Sequence, residues 1–401
     1  MKLPSIPLAR DASQSAPSTR GMPLLRLGFR PFYLCAALFA ALAVPLWVAV
    51  FFGRLAFEPA APAILWHAHE MLFGFATTVI IGFLLTAVKA WTGLDTLRGP
   101  ALGALVLLWL AARITAVTGP YAVYAVLDLA LLPLVAAALI DVLVRARNTR
   151  NLPLAMMLIL MALANLAFHL AVMGVLAISP VRPLFACLAL IVMVECVITG
   201  RVIPAFMNNA TPGLKLVNDR KLEMVTLAVT ALGLTLWICT PEGMAALTML
   251  LLAAGLHILR QFRWHPLAAG NRPILWILHA SYVWIPLGLA LLALSEVGTV
   301  PVSAGVHALA VGATGGLIIG MITRTARGHT GRPLKASRAE VLAYSLVMIA
   351  AALRVLAPLV SAHLLVISLA GAALAWTAAF GIYLVIYTPW LMQARLVGTD
   401  G

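Results

Sequence analysis

Charged residues are scarce in this 401-residue sequence, at 10% of the total against the roughly 25% of an average soluble domain. Hydrophobic residues make up 63%, and the mean hydropathy is +1.04. This composition excludes an ordinary soluble domain and indicates a chain that crosses a bilayer many times. The four cysteines stand in apolar runs without CxxC or CxxCH spacing, which argues against structural disulfides and covalently attached haem.

Several other signatures are absent as well. There is no phosphate-binding loop, no G-x-S-x-G and no HExxH, so the sequence gives no support for soluble-enzyme chemistry. The first 30 residues contain arginine, serine and proline, but no short apolar core followed by a small-residue cleavage site. We therefore expect a cytoplasmic tail there rather than a signal peptide.

Apolar runs of about 20 residues predict an all-α, polytopic membrane protein with twelve transmembrane helices. Charged residues, proline or glycine separate the runs. The expected domains are an N-terminal tail at 1–30, a transmembrane domain at 31–392 and a C-terminal tail at 393–401. We place the spans at 32–53, 64–88, 100–118, 121–144, 153–175, 183–204, 222–240, 243–262, 274–295, 302–323, 340–359 and 362–390.

Basic residues are divided unequally between the two sides of these spans. Of 27 Lys and Arg residues, only four fall on the side opposite the N-terminus: Arg54, Arg113, Arg182 and Arg354. Because cytoplasmic loops accumulate basic residues, both termini are expected in the cytoplasm, with Glu242 and Glu296 on the periplasmic side. The net charge of +14 follows from this bias, so we do not interpret it as nucleic-acid binding.

The second and tenth spans resemble one another. Residues 69–93, "HEMLFGFATTVIIGFLLTAVKAWTG", align without a gap with residues 307–331, "HALAVGATGGLIIGMITRTARGHTG", and seven positions are identical. The alignment pairs His69 with His307 at equal depth in helices that run in the same direction. Two such imidazoles suit the axial positions of one b-type haem, or two ligands of one copper ion. Chance similarity between apolar helices is the alternative.

A dense polar motif, "WHAHEMLFGF", opens the second span. Residues two apart on a helix point about 200° apart, so His67 and His69 should face different neighbours. His67 shares its helical face with Glu70 and Met71, and His, Met and Glu are all plausible copper ligands. Glu70 could instead orient an imidazole, or act in catalysis. Two histidines that simply lie in the polar interface are the less informative interpretation.

Glu195 lies near the middle of the sixth span, where a carboxyl group is protonated, paired or part of a proton path. We take it as a candidate catalytic acid. His329 lies in the arginine-rich segment "RGHTGRPL", which could bind an anion or a haem propionate, although a simple cytoplasmic loop has the same composition. The glycines of the tenth span, at 312, 316 and 320, form a small-residue ridge that would admit either a packed helix or a flat porphyrin.

Several blocks together resemble the NnrS family over almost the whole chain. They are "FRPFYL", "WHAHEMLFGF", "GFLLTAVKAWTG", "GRVIPAF", "LWILHASYVWIPLGL" and "HALAVGATGG…RTARGHTGRPL". The resemblance implies a bacterial inner-membrane protein that contains haem and copper, is produced in response to nitric oxide, and protects against nitrosative stress. Motif residues of the family correspond to His67, His69, Glu70, Arg201, His279, His307, His329 and Arg332 here.

The architecture is also similar to the catalytic subunit of haem–copper oxidases and nitric oxide reductases, in which the second and tenth helices hold a haem. That superfamily needs histidines on its sixth and seventh helices for copper, and the runs at 183–204 and 222–240 contain none. Three functional classes stay open: an oxidoreductase that uses a donor such as quinol, a nitric oxide sensor or scavenger without turnover, and a transporter without metal.

Overall fold

The structure, a computed structural model, describes residues 21–56, 59–217, 219–240 and 243–396. Within these ranges the chain is helical and contains no strand. Twelve helices are long and apolar enough to span a membrane, which confirms the predicted fold class. In chain order they are α1 Phe29–Phe51, α2 Ala63–Thr92, α3 Pro100–Thr118, α4 Tyr121–Arg145, α5 Thr149–Val172, α6 Val181–Ala210, α7 Arg220–Cys239, α8 Met244–Arg263, α9 Pro273–Ser295, α10 Val302–His329, α11 Arg338–Val360 and α12 Leu365–Met392.

Most of the predicted tails and Glu242 lie outside the described residues. The spans match the predicted runs closely, but α6 and α10 continue past the predicted ends at 204 and 323. Hydropathy reports only the part of a helix that is apolar, whereas the backbone hydrogen bonds of a helix continue into polar sequence. The extra turns of α10 carry Arg324, Arg327 and His329, and these turns lie beside a cavity described below.

Successive helices pack beside one another around the bundle, and α12 returns to pack against α1. Arg30 fixes this closure, because its Nη1 donates to the carbonyl oxygens of Leu391 at 2.9 Å and Gln393 at 2.6 Å. The two described ends of the chain therefore lie on the same face of the bundle. We call this the terminal face and the opposite one the far face.

The most deeply buried helices are α2, α6, α9 and α10, and α6 contacts both α2 and α10. The small-residue ridge of α10 faces α9, since a Cβ atom built on Gly312, Gly316 or Gly320 would meet side chains of Trp284, Ser281 or Leu278. These glycines therefore serve close helix packing in this structure, which was one of the two interpretations of the ridge.

Both repeated helices change to π-helical geometry directly after the aligned histidines. In α2 the π segment is Glu70–Ala76, and in α10 it is Ala308–Gly315. Such segments are rare and frequently occur at functional sites, because the extra residue per turn reorients side chains. A backbone repeat therefore accompanies the sequence repeat of His69 and His307, while the likeness to haem–copper oxidases stays a prediction.

Candidate functional site

Seven polar side chains form a buried group between α2, α3, α4 and α5, near the far face. Each is at most 6% exposed, which is unusual for ionisable residues in the apolar interior of a membrane protein. We call this group the polar cluster; its members are His69, Glu70, Arg113, Tyr124, Asp128, Asn165 and His169.

Arg113 links the two carboxylates of the polar cluster. Its Nη1 donates to Glu70 Oε2 at 2.6 Å, and its Nη2 donates to Asp128 Oδ1. Charge-assisted hydrogen bonds of this kind compensate for removing the ions from water. One guanidinium thus neutralises one of two buried carboxylates, and it holds α2, α3 and α4 together.

His69 has oxygen atoms beside both of its ring nitrogens. Nδ1 lies 2.8 Å from the Tyr124 hydroxyl and 3.3 Å from Glu70 Oε1. Nε2 lies 2.9 Å from Asn165 Oδ1 and 3.3 Å from Asp128 Oδ2. The structure therefore places His69 in the polar cluster and engages both atoms with which it could bind iron or copper.

His169 completes the cluster on α5. Its Nε2 lies 3.2 Å from Asp128 Oδ2, and its Nδ1 lies 2.8 Å from the hydroxyl of Tyr121. One potential ligand atom from each of His69, Asp128 and His169 lies within 4.8 Å of the others. Tyr121 is only half-buried and is the first residue of α4, so the cluster is within reach of the far face.

His67 points away from the polar cluster, as helix geometry predicts. It stacks on Trp47 of α1, with ring centroids 4.0 Å apart, and its buried Nδ1 has no hydrogen-bond partner among the described residues. It lies close enough to His307 and Arg354 to interact electrostatically with both. The structure thus places His67 within electrostatic range of His307, while the predicted pairing of His69 with His307 stays a prediction.

His307 is oriented by its own helix. Its Nδ1 lies 2.7 Å from the carbonyl oxygen of Ser303, one turn earlier in α10. Because a carbonyl oxygen only accepts, Nδ1 is the donor, and a neutral ring then presents a lone pair at Nε2. Met71, four residues after His67, packs against the hydrophobic cluster that contains Trp47. His67, Met71 and His307 are therefore the predicted metal ligands that lie in one region.

Glu195 lies on α6 beside a small apolar cavity of about 70 Å³ in the centre of the bundle. Its buried Oε2 has no hydrogen-bond partner among the described residues, and the same holds for Oγ1 of Thr314 on α10, which lines the same cavity. The two side chains are close enough to interact with each other. The predicted role of Glu195 in handling protons stays a prediction.

A cavity of about 820 Å³ opens near the ends of α2, α6 and α10 that lie on the terminal face, and we call it the terminal-face cavity. None of its described lining residues is acidic. Its basic lining residues are four arginines and one histidine: Arg150, Arg201, Arg324, His329 and Arg395. Apolar side chains form much of the remainder. The terminal-face cavity and the small cavity beside Glu195 are neighbours, because they share four lining residues: Phe83, Ile198, Val202 and Met321.

Two further predicted site residues, His279 and Arg332, lie apart from this cavity. His279 on α9 is 4% exposed, and neither of its ring nitrogens has a hydrogen-bond partner among the described residues. Arg332 packs its guanidinium over the ring of Trp390 at 4.2 Å. Arg201, by contrast, lines the cavity and donates from Nη1 to Asn151 Oδ1 at 2.6 Å.

Sequence reasoning missed most of the polar cluster and also a second buried network on α6 to α9. In that network, Arg260 donates from Nε to Glu223 Oε1 at 2.7 Å, and His257 Nδ1 lies 2.6 Å from the Tyr282 hydroxyl. The available signal was an acidic residue within an apolar span, Asp128 in "AVLDLALL". Ionisable residues in such positions mark functional or structural networks.

Comparison with known proteins agrees with this architecture. A search of the curated proteins finds no match. The model of the family described as NnrS protein matches residues 23–395, which include all twelve helices, the polar cluster and the terminal-face cavity. The resemblance seen in the sequence is thereby confirmed, and this multi-pass membrane protein belongs to the NnrS family.

Proposed function

We propose that the protein binds haem and copper in the bacterial cytoplasmic membrane, handles nitric oxide or iron–nitrosyl species, and protects the cell against nitrosative stress. Membership in the NnrS family supports a membrane protein of the nitric oxide response. The observation that carries the haem part is the terminal-face cavity, with its 820 Å³ volume, its four arginines and its lack of an acidic lining residue among those described.

The residues of this cavity fit a haem group. Haem is a flat apolar ring with two carboxylates, and pockets of roughly 300–1,000 Å³ hold ligands of comparable size. Arg150, Arg201 and Arg324 would bind the carboxylates, because guanidinium groups pair with them bidentately. His329 would offer a ring nitrogen to the iron. Arg324 is held in place by stacking over Phe206, at 3.7 Å from the ring centroid.

The chain around the cavity suits a small uncharged substrate. Nitric oxide partitions into lipid, so it can reach a site among apolar helices without a charged channel. When bound, haem would supply an iron that takes up nitric oxide. The apolar side chains shared with the inner cavity, Phe83 and Ile198 among them, exclude water from the path toward Glu195. Glu195 would supply a proton if the substrate is reduced.

For copper, the fit is best at His67, Met71 and His307. His67 has an unpartnered Nδ1, and the hydrogen bond of His307 to Ser303 leaves its Nε2 as a ligand. Imidazole and thioether together favour Cu(I). The positive charge of Arg354, which acts on both histidines, also favours a monovalent over a divalent ion.

The test uses cells that lack the protein and receive wild-type or variant copies. The variant Arg201→Gln with Arg324→Gln removes two cavity cations and should reduce the haem content of the purified protein. Cells with this variant should grow poorly under nitric oxide and accumulate protein-bound dinitrosyl-iron signals in electron paramagnetic resonance. The matched control is Arg182→Gln, because Arg182 is exposed at the opposite end of α6.

Two outcomes would contradict the proposal. A wild-type protein that purifies without haem and copper, yet protects cells fully, would favour the transporter without metal. If the double arginine variant retained all of its haem, the terminal-face cavity would be excluded as the haem site. Turnover of nitric oxide with quinol as donor would identify an oxidoreductase, whereas binding without turnover would identify a sensor or scavenger.

A further inference from the structure

Both ring nitrogens of His69 face oxygen atoms. The amide of Asn165 is oriented by donation from Nδ2 to Asp128 Oδ2 at 2.6 Å, so its Oδ1 faces His69 Nε2. On the other side, Nδ1 lies 2.8 Å from the Tyr124 hydroxyl and 3.3 Å from Glu70 Oε1. The ring is therefore held in a fixed orientation, with Nε2 directed at Asn165 and Asp128.

The polar cluster carries more negative than positive charge. Glu70 and Asp128 are buried carboxylates, and Arg113 is the one buried guanidinium that pairs with them among the described residues. Uncompensated charge is costly in an apolar interior, so the cluster favours the binding of a cation.

The spacing of three atoms fits a metal ion. Ligand atoms that lie about 2.0–2.1 Å from a tetrahedral metal are about 3.3–3.5 Å from each other. Asp128 Oδ2 lies 3.3 Å from His69 Nε2 and 3.2 Å from His169 Nε2. All three atoms lie within 4.8 Å of one another, so two edges of the triangle that they form match the spacing of ligands around a metal.

The outer nitrogens of both histidines also have the partners that metal-binding histidines need. Nδ1 of His69 lies beside the Glu70 carboxylate, and Nδ1 of His169 lies beside the Tyr121 hydroxyl. Partners of this kind fix the ring orientation and the tautomer, so that Nε2 carries the lone pair. A carboxylate that accepts from a coordinating imidazole also makes that imidazole a stronger ligand.

We propose that the polar cluster binds one late first-row transition-metal ion through His69 Nε2, His169 Nε2 and Asp128 Oδ2. The ion forms bonds to these three atoms, using the Nε2 lone pairs of the two neutral imidazoles and one carboxylate oxygen. The proton of His169 moves from Nε2 to Nδ1, where it is donated to the oxygen of Tyr121. No electron is transferred. Two imidazoles and one carboxylate suit zinc, iron or copper.

This site is separate from the haem cavity and from His67 and His307, so it does not depend on the proposed function. The half-buried Tyr121 at the start of α4 places it close to the far face, from which an ion would enter.

The experiment uses the full-length protein in detergent after treatment with a chelator. Zn²⁺ alone, or Cu⁺ alone under a reductant, is added, and bound metal per polypeptide is counted after desalting. The variant His169→Gln should bind one equivalent less than the wild type. Tyr121→Phe leaves all three ligands in place but removes the acceptor of His169 Nδ1, and it should weaken binding by about 10- to 100-fold.

Two controls separate this site from others. His265→Gln, at an exposed histidine between α8 and α9, should retain every equivalent. His67→Gln should lose the metal held at His67 and His307 and keep the metal of the polar cluster. A variant that loses both metals is thereby recognised as damaged at both sites. The proposal would be overturned if the wild type and His169→Gln bound equal amounts of Zn²⁺ and of Cu⁺ while eluting identically in size-exclusion chromatography.

Discussion

Arg113 of α3 lies 2.6 Å from Glu70 of α2, measured between Nη1 and Oε2, in a part of the protein where both side chains are almost fully buried. Glu70 is also the first residue of the π segment that follows His69. The ion pair therefore holds the first π turn against α3. Through its second nitrogen, Arg113 also reaches Asp128 of α4, so one side chain connects three helices.

Replacing Arg113 with Met should strongly destabilise the protein. The change leaves Glu70 and Asp128 as buried carboxylates without their cation, and breaking a buried pair in this way costs about 3–5 kcal/mol. The measurement is thermal unfolding in detergent, followed by tryptophan fluorescence. Adding Glu70→Gln should restore part of the loss, whereas the exposed Arg182→Gln should have almost no effect. Unchanged unfolding of Arg113→Met would show that the ion pair contributes little.

Close packing of α9 on α10 predicts a second stability effect. A Cβ atom on Gly305 would lie 2.8 Å from the backbone nitrogen of Leu292, which cannot move aside easily. Gly305→Ala should therefore destabilise by about 1–3 kcal/mol in the same unfolding assay. Gly255→Ala is the matched control, because no atom lies within 4 Å of the added methyl group. The hypothesis fails if the two alanine variants unfold alike.

The twelve spans could be predicted from the sequence because hydropathy and basic-residue asymmetry are averages over many residues. The different directions of His67 and His69 could also be predicted, since they follow from helical geometry alone. The expected face shared by His67 and Glu70 was wrong, because Glu70 contacts His69 at the start of the π segment. The π segments could not be predicted in this way. They depend on how α2 and α10 pack against α1, α6 and α9, and no local pattern in Glu70–Ala76 or Ala308–Gly315 distinguishes them from ordinary helix.

The partners of His69 were also beyond the sequence analysis. Asp128, Asn165 and His169 are far from it in the chain, and only the packing of α2 against α4 and α5 brings them together. Equal depth in the membrane suggested His307 as the partner, but depth does not determine the direction in which a side chain points. His67, which is two residues away, stacks on Trp47 of α1 instead and lies within electrostatic range of His307.

The orientation of the bundle gives a prediction that metal sites do not affect. If the basic side is cytoplasmic, single cysteines that replace Arg147 and Lys335 should be protected from a membrane-impermeant thiol reagent in intact cells. A cysteine that replaces Glu296, just after α9, should react. The background protein needs its four native cysteines removed. The reverse pattern at these positions would show that the termini are periplasmic.

Glu195→Gln tests the carboxyl group in the centre of the bundle. The amide has nearly the same shape, and Oε2 of the native residue has no hydrogen-bond partner among those described, so stability should change by less than about 1 kcal/mol. If a reductive step takes its proton from Glu195, nitric oxide consumption should decrease while haem content stays the same. Full activity of Glu195→Gln would exclude this proton donor. Glu296→Gln, outside the cavity, is the control.

Three histidines distinguish the sites at which haem could be bound. His329 lines the terminal-face cavity, His307 lies within electrostatic range of His67, and His69 belongs to the polar cluster. Haem in the cavity predicts that His329→Ala changes the visible spectrum or lowers haem content, while His307→Ala changes copper content alone. Haem held by the predicted axial pair requires instead that His69→Ala and His307→Ala each abolish the six-coordinate spectrum. His265→Ala should leave the spectrum and both metal contents unchanged. Since the three side chains lie in separate surroundings, one set of purified variants decides between these arrangements, and an unchanged spectrum in all three would exclude each of these histidines as a haem ligand.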